Sequence, residues 1–168
     1  MKTLYIVRHG KSSWEDAGIQ DFERPLLPTG KKRTLRIADH LLKRPVMPDL
    51  IVSSHAVRAF ETASLLAGTF NYPRHKIQVE SAVYHHGVEG LWSLIFSLPD
   101  DKHHVMVVGH NPALTQFVNG LLDRAIDYLP TSAVASFSFF TNHWNEVMLV
   151  DKKTNFLIYP SHLEKTSS

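Results

Sequence analysis

The sequence predicts an α/β fold: a single three-layer domain with a mostly parallel sheet, helices on both faces and an antiparallel edge near the C-terminus. Three observations carry this. Short apolar runs rich in β-branched residues alternate with longer amphipathic segments, which is the pattern of βαβ units. Towards the end the pattern changes to segments of alternating polarity, which read as strands meeting in hairpins. The length of 168 residues, 43% of them hydrophobic, is that of one domain able to bury its own core, so residues 1–168 are read as one unit.

The first strand is residues 4–7, stopping at Arg8-His9-Gly10. A polar loop with Trp14, Gly18 and Arg24-Pro25 follows. Thr29 stands where an N-cap belongs, and Leu35, Ala38, Leu41 and Leu42 recur at helical spacing until Pro45. Residues 49–52 read as a second buried strand ending in Ser53-Ser54-His55, residues 57–66 as a helix, and residues 77–79 as a short strand. A partly buried helix is expected over 90–98, closed by Pro99-Asp100-Asp101. Residues 104–108 form the clearest central strand, which stops at Gly109-His110-Asn111-Pro112. Pro112 suits the first turn of a helix through Phe117, Val118 and Leu121, because its missing N–H costs nothing there. The tail reads as strands over 134–140, 146–150 and 156–159, with a turn over 151–155.

Composition narrows the function classes. With 18 basic and 16 acidic residues the net charge is +2, and no basic tail or stripe stands out, so nucleic acid is not an expected partner. The absence of cysteine rules out disulfides and thiolate metal sites, and fits a reducing compartment. No apolar stretch approaches the ~18 residues that span a bilayer, and the N-terminal apolar run is too short for a signal peptide, so the expectation is a cytoplasmic protein with no membrane partner. Oligomeric state stays open.

The three central strands end in polar clusters: Arg8-His9-Gly10, residues 53–58, and Gly109-His110-Asn111. In open α/β sheets ligands bind beyond the carboxyl ends of strands, so neighbouring strands would bring two arginines and two histidines to one spot. Forked guanidinium donors match phosphoryl oxygens, and a histidine can attack phosphorus and hold it covalently. Gly10 and Gly109 leave room for backbone approach.

These residues resemble a known family. The run Leu4-Tyr5-Ile6-Val7-Arg8-His9-Gly10 is similar to the opening motif of the histidine phosphatase superfamily, the phosphoglycerate-mutase-like proteins. Residues 53–63, with a Ser, then Arg58-Ala59, then Thr62-Ala63, look like its second motif. Val108-Gly109-His110-Asn111-Pro112 looks like its third. The short chain and the stretch Asp21-Phe22-Glu23-Arg24-Pro25-Leu26, followed by Thr29-Gly30, resemble the small phosphohistidine phosphatase branch. The resemblance implies that His9 is the nucleophile, and that Arg8, Arg58 and a protonated His110 surround the phosphoryl group. It implies no cofactor and no metal. The substrate would be a phosphorylated protein or a small phosphorylated molecule. Lys11, where an acidic residue is common in the family, and Asn111 are expected to add to substrate binding.

The general acid is where the chain departs from the family. Relatives that cleave alkyl phosphates place a carboxylic acid after the second arginine motif, and the candidates here are Glu80 and Glu89. Three other readings compete. Gly10-Lys11-Ser12 has Tyr5 where a P-loop needs glycine. His85-His86 and His103-His104 invite a histidine-bound metal, yet adjacent histidines on a strand point to opposite faces. A catalytically inactive phosphate-binding module is the third.

Overall fold

A computed structural model of the chain describes residues 1–14 and 18–164. Its centre is a six-stranded sheet with β1 Lys2–Arg8, β2 Leu50–Ser53, β3 Gln78–Val79, β4 His104–Gly109, β5 Val134–Phe139 and β6 Lys152–Ile158, in spatial order β3-β2-β4-β1-β5-β6. β3, β2, β4 and β1 run parallel, β5 is antiparallel to β1, and β6 is antiparallel to β5, so β5 alone is reversed. This is the mostly parallel sheet with an antiparallel C-terminal edge that the sequence predicts.

Alternation along the parallel strands sends side chains into two cores. Leu4, Ile6, Val105 and Val107 pack on one face against α4 Gly87–Phe96 and α5 Ala113–Asn119, through Leu91, Ile95, Leu114 and Phe117. Tyr5, Val7, Met106 and Val108 pack on the other against α1 Pro28–Leu42 and α2 Val57–Thr69, through Ile37, Leu41, Ala59 and Leu66. A short α3, Ala82–His85, precedes α4, and α6, Pro160–Glu164, closes the described chain. The aliphatic side chains in these two layers are nearly all inaccessible, and each fully buried one contributes about 1.5–3 kcal/mol relative to exposure. Among the described residues no helix is long and apolar enough to cross a membrane.

The connections create the crevice. From β1 the chain leaves through α1, on one face, towards β2; from β4 it leaves through α5, on the other face, towards β5. β1 and β4 are neighbours with Arg8 opposite Gly109, so the chain diverges just beyond the point where His9 and His110 stand. Close approach finishes the floor: a Cβ on Gly30 of α1 would lie 2.2 Å from the carbonyl oxygen of Lys11, so only glycine lets the helix pass this loop.

Several expected boundaries move. Leu27, not Thr29, is the N-cap of α1; Pro28 occupies the first turn, where its fixed φ suits the helix, and Thr29 lies inside. Pro112 is the N-cap of α5, which ends at Asn119 short of Leu121, α2 runs on to Thr69, and α4 begins at Gly87. Residues 146–150 are not a strand. Trp144 is buried, its indole N–H donates to the Lys102 carbonyl at 2.8 Å and its backbone N–H to Asp100 Oδ1 at 3.0 Å, which winds Trp144–Glu146 into a 3₁₀ turn. Met148 and Leu149 are both exposed, so their apparent alternation is not an inside-outside pattern. The strand instead begins at Lys152, inside the expected turn, and its two lysines lie on the outer edge, where charge discourages further strand pairing.

Candidate active site

At the carboxyl ends of β1, β2 and β4 lies a cavity of about 350 Å³, lined by residues that include Arg8, His9, Lys11, Asp21, Arg58, His110 and Asn111. α2 fastens the loops around it. Thr62 Oγ1 accepts the Gly10 N–H at 2.9 Å and donates to the Arg58 carbonyl at 2.7 Å, while Glu61 Oε2 accepts the Leu26 N–H at 3.2 Å. The Thr-Ala of the second motif therefore pins the loop that carries His9.

His9 is 7% exposed, and its Nδ1 lies 2.7 Å from the Gly10 carbonyl oxygen. A carbonyl only accepts, so Nδ1 carries the proton and Nε2 presents its lone pair to the cavity. Burial pushes the His9 pKa down to about 4, and the Arg58, Arg8 and Arg24 cations push the same way against the Gly10 hydrogen bond, so the imidazole is neutral at pH 7. A neutral imidazole with an unprotonated Nε2 is the form that can bond phosphorus.

Arg58 donates to that lone pair, with Nε 3.4 Å from His9 Nε2. Its two terminal nitrogens go to Asp21: Nη1 donates to the Asp21 carbonyl at 2.7 Å and Nη2 to Asp21 Oδ2 at 3.1 Å. Arg24 holds the other carboxylate oxygen, with Nη2 at 2.9 Å, and its guanidinium stacks 3.6 Å from the Trp14 ring centre. Tyr84, on α3, donates its hydroxyl to Asp21 Oδ2. The Tyr84 hydrogen bond first, and then the guanidiniums, hold Asp21 down to about 2, so it stays ionised.

Arg8 donates from Nη1 to the Leu129 carbonyl at 3.0 Å, and its buried Nε has no partner within the protein. Asn111 also donates to Leu129, at 2.8 Å, and its oxygen accepts both the N–H and the hydroxyl of Thr115. Asn111 thus lines the cavity but braces the loop before β5 with its amide. Lys11 is exposed at the rim, as expected.

Burial, and then the neighbouring His9 and Arg58, lower the His110 pKa to about 3, and its Nε2 shares a 2.7 Å hydrogen bond with Ser54 Oγ, so the protonated form expected around a phosphoryl group requires that anion. One expectation is corrected: Glu80 and Glu89 do not face His9. They line a separate groove with Gln78 and His86, and Glu80 accepts the Gln78 amide at 2.7 Å. Glu80 lies on the β3–α3 connection and Glu89 in the first turn of α4. Among the described residues lining the His9 cavity Asp21 is the one carboxylate. The paired histidines build no metal centre: among the described residues no three acid or histidine side chains are placed to hold an ion. His85 stacks on His55 near Tyr84, while His104 sits at the opposite end of β4.

The site residues that sequence reasoning missed are Asp21 and Tyr84, with Arg24 behind them. Asp21 and Arg24 belong to a stretch noticed for its resemblance alone, and Tyr84 carried no signal, since α3 meets the loop only in the folded chain.

With this geometry in place, comparison with known proteins is informative. The histidine phosphatase superfamily (branch 1) matches residues 4–83. A chloroplastic protein of Arabidopsis thaliana, itself uncharacterized, is 30% identical over 154 residues, covering 86% of this chain and 70% of that protein. The candidate phosphohistidine phosphatase SixA of Agrobacterium tumefaciens superposes with a TM-score of 0.77 at 26% identity, covering 95% of this chain and 99% of that one. A protein histidine phosphatase SixA solved with tungstate gives a TM-score of 0.80 at 22% identity, covering 96% and 99%, which shows a shared fold. Matching motifs, a matching fold and the arrangement around His9 lead to one assignment: the chain belongs to the histidine phosphatase superfamily.

Proposed function

We propose that this protein is a phosphatase that works through a covalent phosphohistidine on His9, needs no metal, and acts on phosphohistidine of a protein. The observation that carries the reading is the unprotonated Nε2 of neutral His9, at a cavity whose walls hold the Arg8 and Arg58 guanidiniums, with Arg58 Nε 3.4 Å from that nitrogen. In the first step Nε2 bonds phosphorus and the leaving group departs with its bonding electron pair. In the second, water bonds phosphorus, the P–Nε2 bond breaks, and inorganic phosphate and neutral His9 are released. Arg8 and Arg58 offset charge on the equatorial oxygens throughout, and positioning with electrostatics is most of what phosphoryl transfer needs. A bound phosphoryl dianion beside His110 favours its protonated form, so His110 becomes a cation when the site fills. Asn111 and Lys11 act at the edge, the first by holding the wall and the second by attracting the anion.

The preference for phosphohistidine rests on the lack of an un-ionised carboxyl group among the described residues around His9, since a phosphorylated imidazole leaves without one. The test is turnover, side by side, on a phosphohistidine protein, an aryl phosphate and sugar phosphates. Phosphohistidine is expected to be fastest; a sugar phosphate in first place points to a small-molecule phosphomonoesterase, and no turnover of any of them to a binding module.

A further inference from the structure

We propose that Asp21 is a positioning residue for phosphoryl transfer, its carbonyl and carboxylate holding the two terminal nitrogens of Arg58 so that the Nε edge of the guanidinium faces His9. This rests on the function proposed above and adds to it a residue that the three family motifs do not include.

The argument starts from burial. Arg58 is 5% exposed, and a guanidinium removed from water needs a partner for both charge and N–H groups. Asp21 supplies it twice, through its carbonyl oxygen and through Oδ2. A side chain with several rotatable bonds would otherwise choose among orientations; held at both Nη atoms it has one, with Nε pointing to His9 Nε2. The anchor is itself held. Arg24 fixes Oδ1, Tyr84 fixes Oδ2, and the Arg24 guanidinium is tied at Nη1 to Ser12 Oγ and the Ser13 carbonyl. Asp21 is thus one carboxylate joining the loop that follows His9, the 3₁₀ turn Asp21–Glu23, α2 and α3.

The sign of its charge defines what it does. A carboxylate beside the cavity opposes binding of any oxyanion, so Asp21 cannot serve to tighten ground-state binding. What it supplies is a guanidinium already aligned when charge spreads to the equatorial oxygens, at no cost of reorganisation. Such a residue raises kcat and not affinity, because its effect is larger in the transition state than in the bound substrate.

The experiment compares two oxyanions by calorimetry, independently of turnover: phosphate, a tetrahedral ground-state mimic, and orthovanadate, which becomes five-coordinate on bonding a histidine nitrogen. Asp21→Asn is expected to weaken orthovanadate about tenfold or more while phosphate binds within about threefold of wild type or more tightly, and to lower kcat on an aryl phosphate about as much as vanadate affinity with KM little changed. In an Arg58→Ala background the same substitution is expected to change vanadate affinity less than about twofold, because the group it positions is gone. Equal losses in the two backgrounds, or an unchanged vanadate affinity, overturn the proposal. If Asp21→Asn does not fold, Tyr84→Phe decides: it keeps the carboxylate, frees one side of it, and should weaken vanadate about threefold with phosphate unchanged, and no loss overturns the proposal. A wild type that shows this coupling in binding but hydrolyses no phosphoryl compound overturns the phosphatase reading and supports the positioning of Arg58. A wild type that binds neither oxyanion overturns both.

Discussion

Arg58 Nε lies 3.4 Å from His9 Nε2, so the group assigned to the phosphoryl oxygens already borders the atom assigned to phosphorus. The two are brought there from different elements, the loop after β1 and the first turn of α2, and are fastened to each other through Thr62, Gly10 and the Arg58 carbonyl. Nucleophile and electrostatic partner are thereby one unit, and loss of either should be felt at the chemical step.

His9→Ala is expected to remove turnover while the fold survives. His9 sits past the end of β1 and outside both cores, and its ring is held only by the adjacent Gly10 carbonyl at Nδ1 and by a long 3.4 Å contact from Arg58 Nε at Nε2. Circular dichroism should be unchanged and the Tm close to wild type. Residual activity above about a thousandth of wild type, which corresponds to less than ~4 kcal/mol of lost transition-state stabilisation, excludes His9 as the nucleophile.

Arg58→Lys keeps the charge and is expected to cost about a hundredfold or more in kcat/KM, or ~2.7 kcal/mol. The guanidinium reaches His9 and two oxygens of Asp21 at the same time, from three nitrogens in one plane. An ammonium has a single nitrogen and cannot span those acceptors. Kinetics on an aryl phosphate check it; a variant within about threefold of wild type would mean that charge alone suffices.

Stability should depend on pH through the two imidazoles. Folded His9 and His110 are lowered to about 4 and about 3 from an ordinary 6.5. Between pH 6.5 and those values the unfolded chain takes up protons that the folded chain refuses, so the stability of the empty protein falls as pH drops through that window and is fully present above it. Each unit of depression corresponds to about 1.4 kcal/mol, the two titrations being linked by a ring separation of 5.0 Å. Denaturant unfolding at pH 7 and pH 5 checks this, and the loss should be smaller in His9→Ala. Added phosphate should flatten it further, because the anion favours both protonated imidazoles.

How much of this was legible in the sequence follows from where each residue sits. Arg8, His9, Arg58 and His110 follow strand ends or open the next helix, so recognising three strands and their motifs was enough to bring them together. Asp21 and Tyr84 come from a loop and a one-turn helix that meet only through tertiary folding. Glu80 and Glu89 follow the second motif, and nothing local reveals that the β3–α3 connection and the start of α4 place them in another groove. The depressed pKa of His110 has no signature in the sequence, because burial and the proximity of His9 and Arg58 are properties of the folded chain. The same limit produced the false strand over 146–150, where alternation is real but Trp144 and Asp100 decide the backbone.

Chelators should leave activity unchanged, because the charge compensation proposed here comes from Arg8, Arg58 and a phosphoryl-induced cation at His110. Orthovanadate and tungstate should inhibit, each presenting oxygens to the cavity lined by Arg8 and Arg58. Activity that disappears in EDTA and returns with added metal would remove the arginines from the central role and restore the histidine-metal reading.

Leaving groups give the most discriminating prediction. Displacing an alkoxide needs a proton delivered in the transition state, and a positioned acid contributes typically ~10²–10⁴-fold. Asp21, the carboxylate among the described residues lining this cavity, is ionised down to about pH 2 and has both oxygens engaged by Arg24, Arg58 and Tyr84, so it has no proton to give. Glu80 and Glu89 face a different groove. A phosphorylated imidazole can be protonated before it departs and leaves as neutral imidazole, and phenolates with pKa about 7–10 need little help. The expected order of kcat/KM is therefore phosphohistidine, then aryl phosphate, then sugar or alkyl phosphate, with Glu80→Gln and Glu89→Gln changing none of the three by more than about twofold. If a sugar phosphate is fastest in wild type and collapses in one of these variants, that glutamate reaches the site as a general acid, and the assignment of a phosphohistidine substrate is wrong.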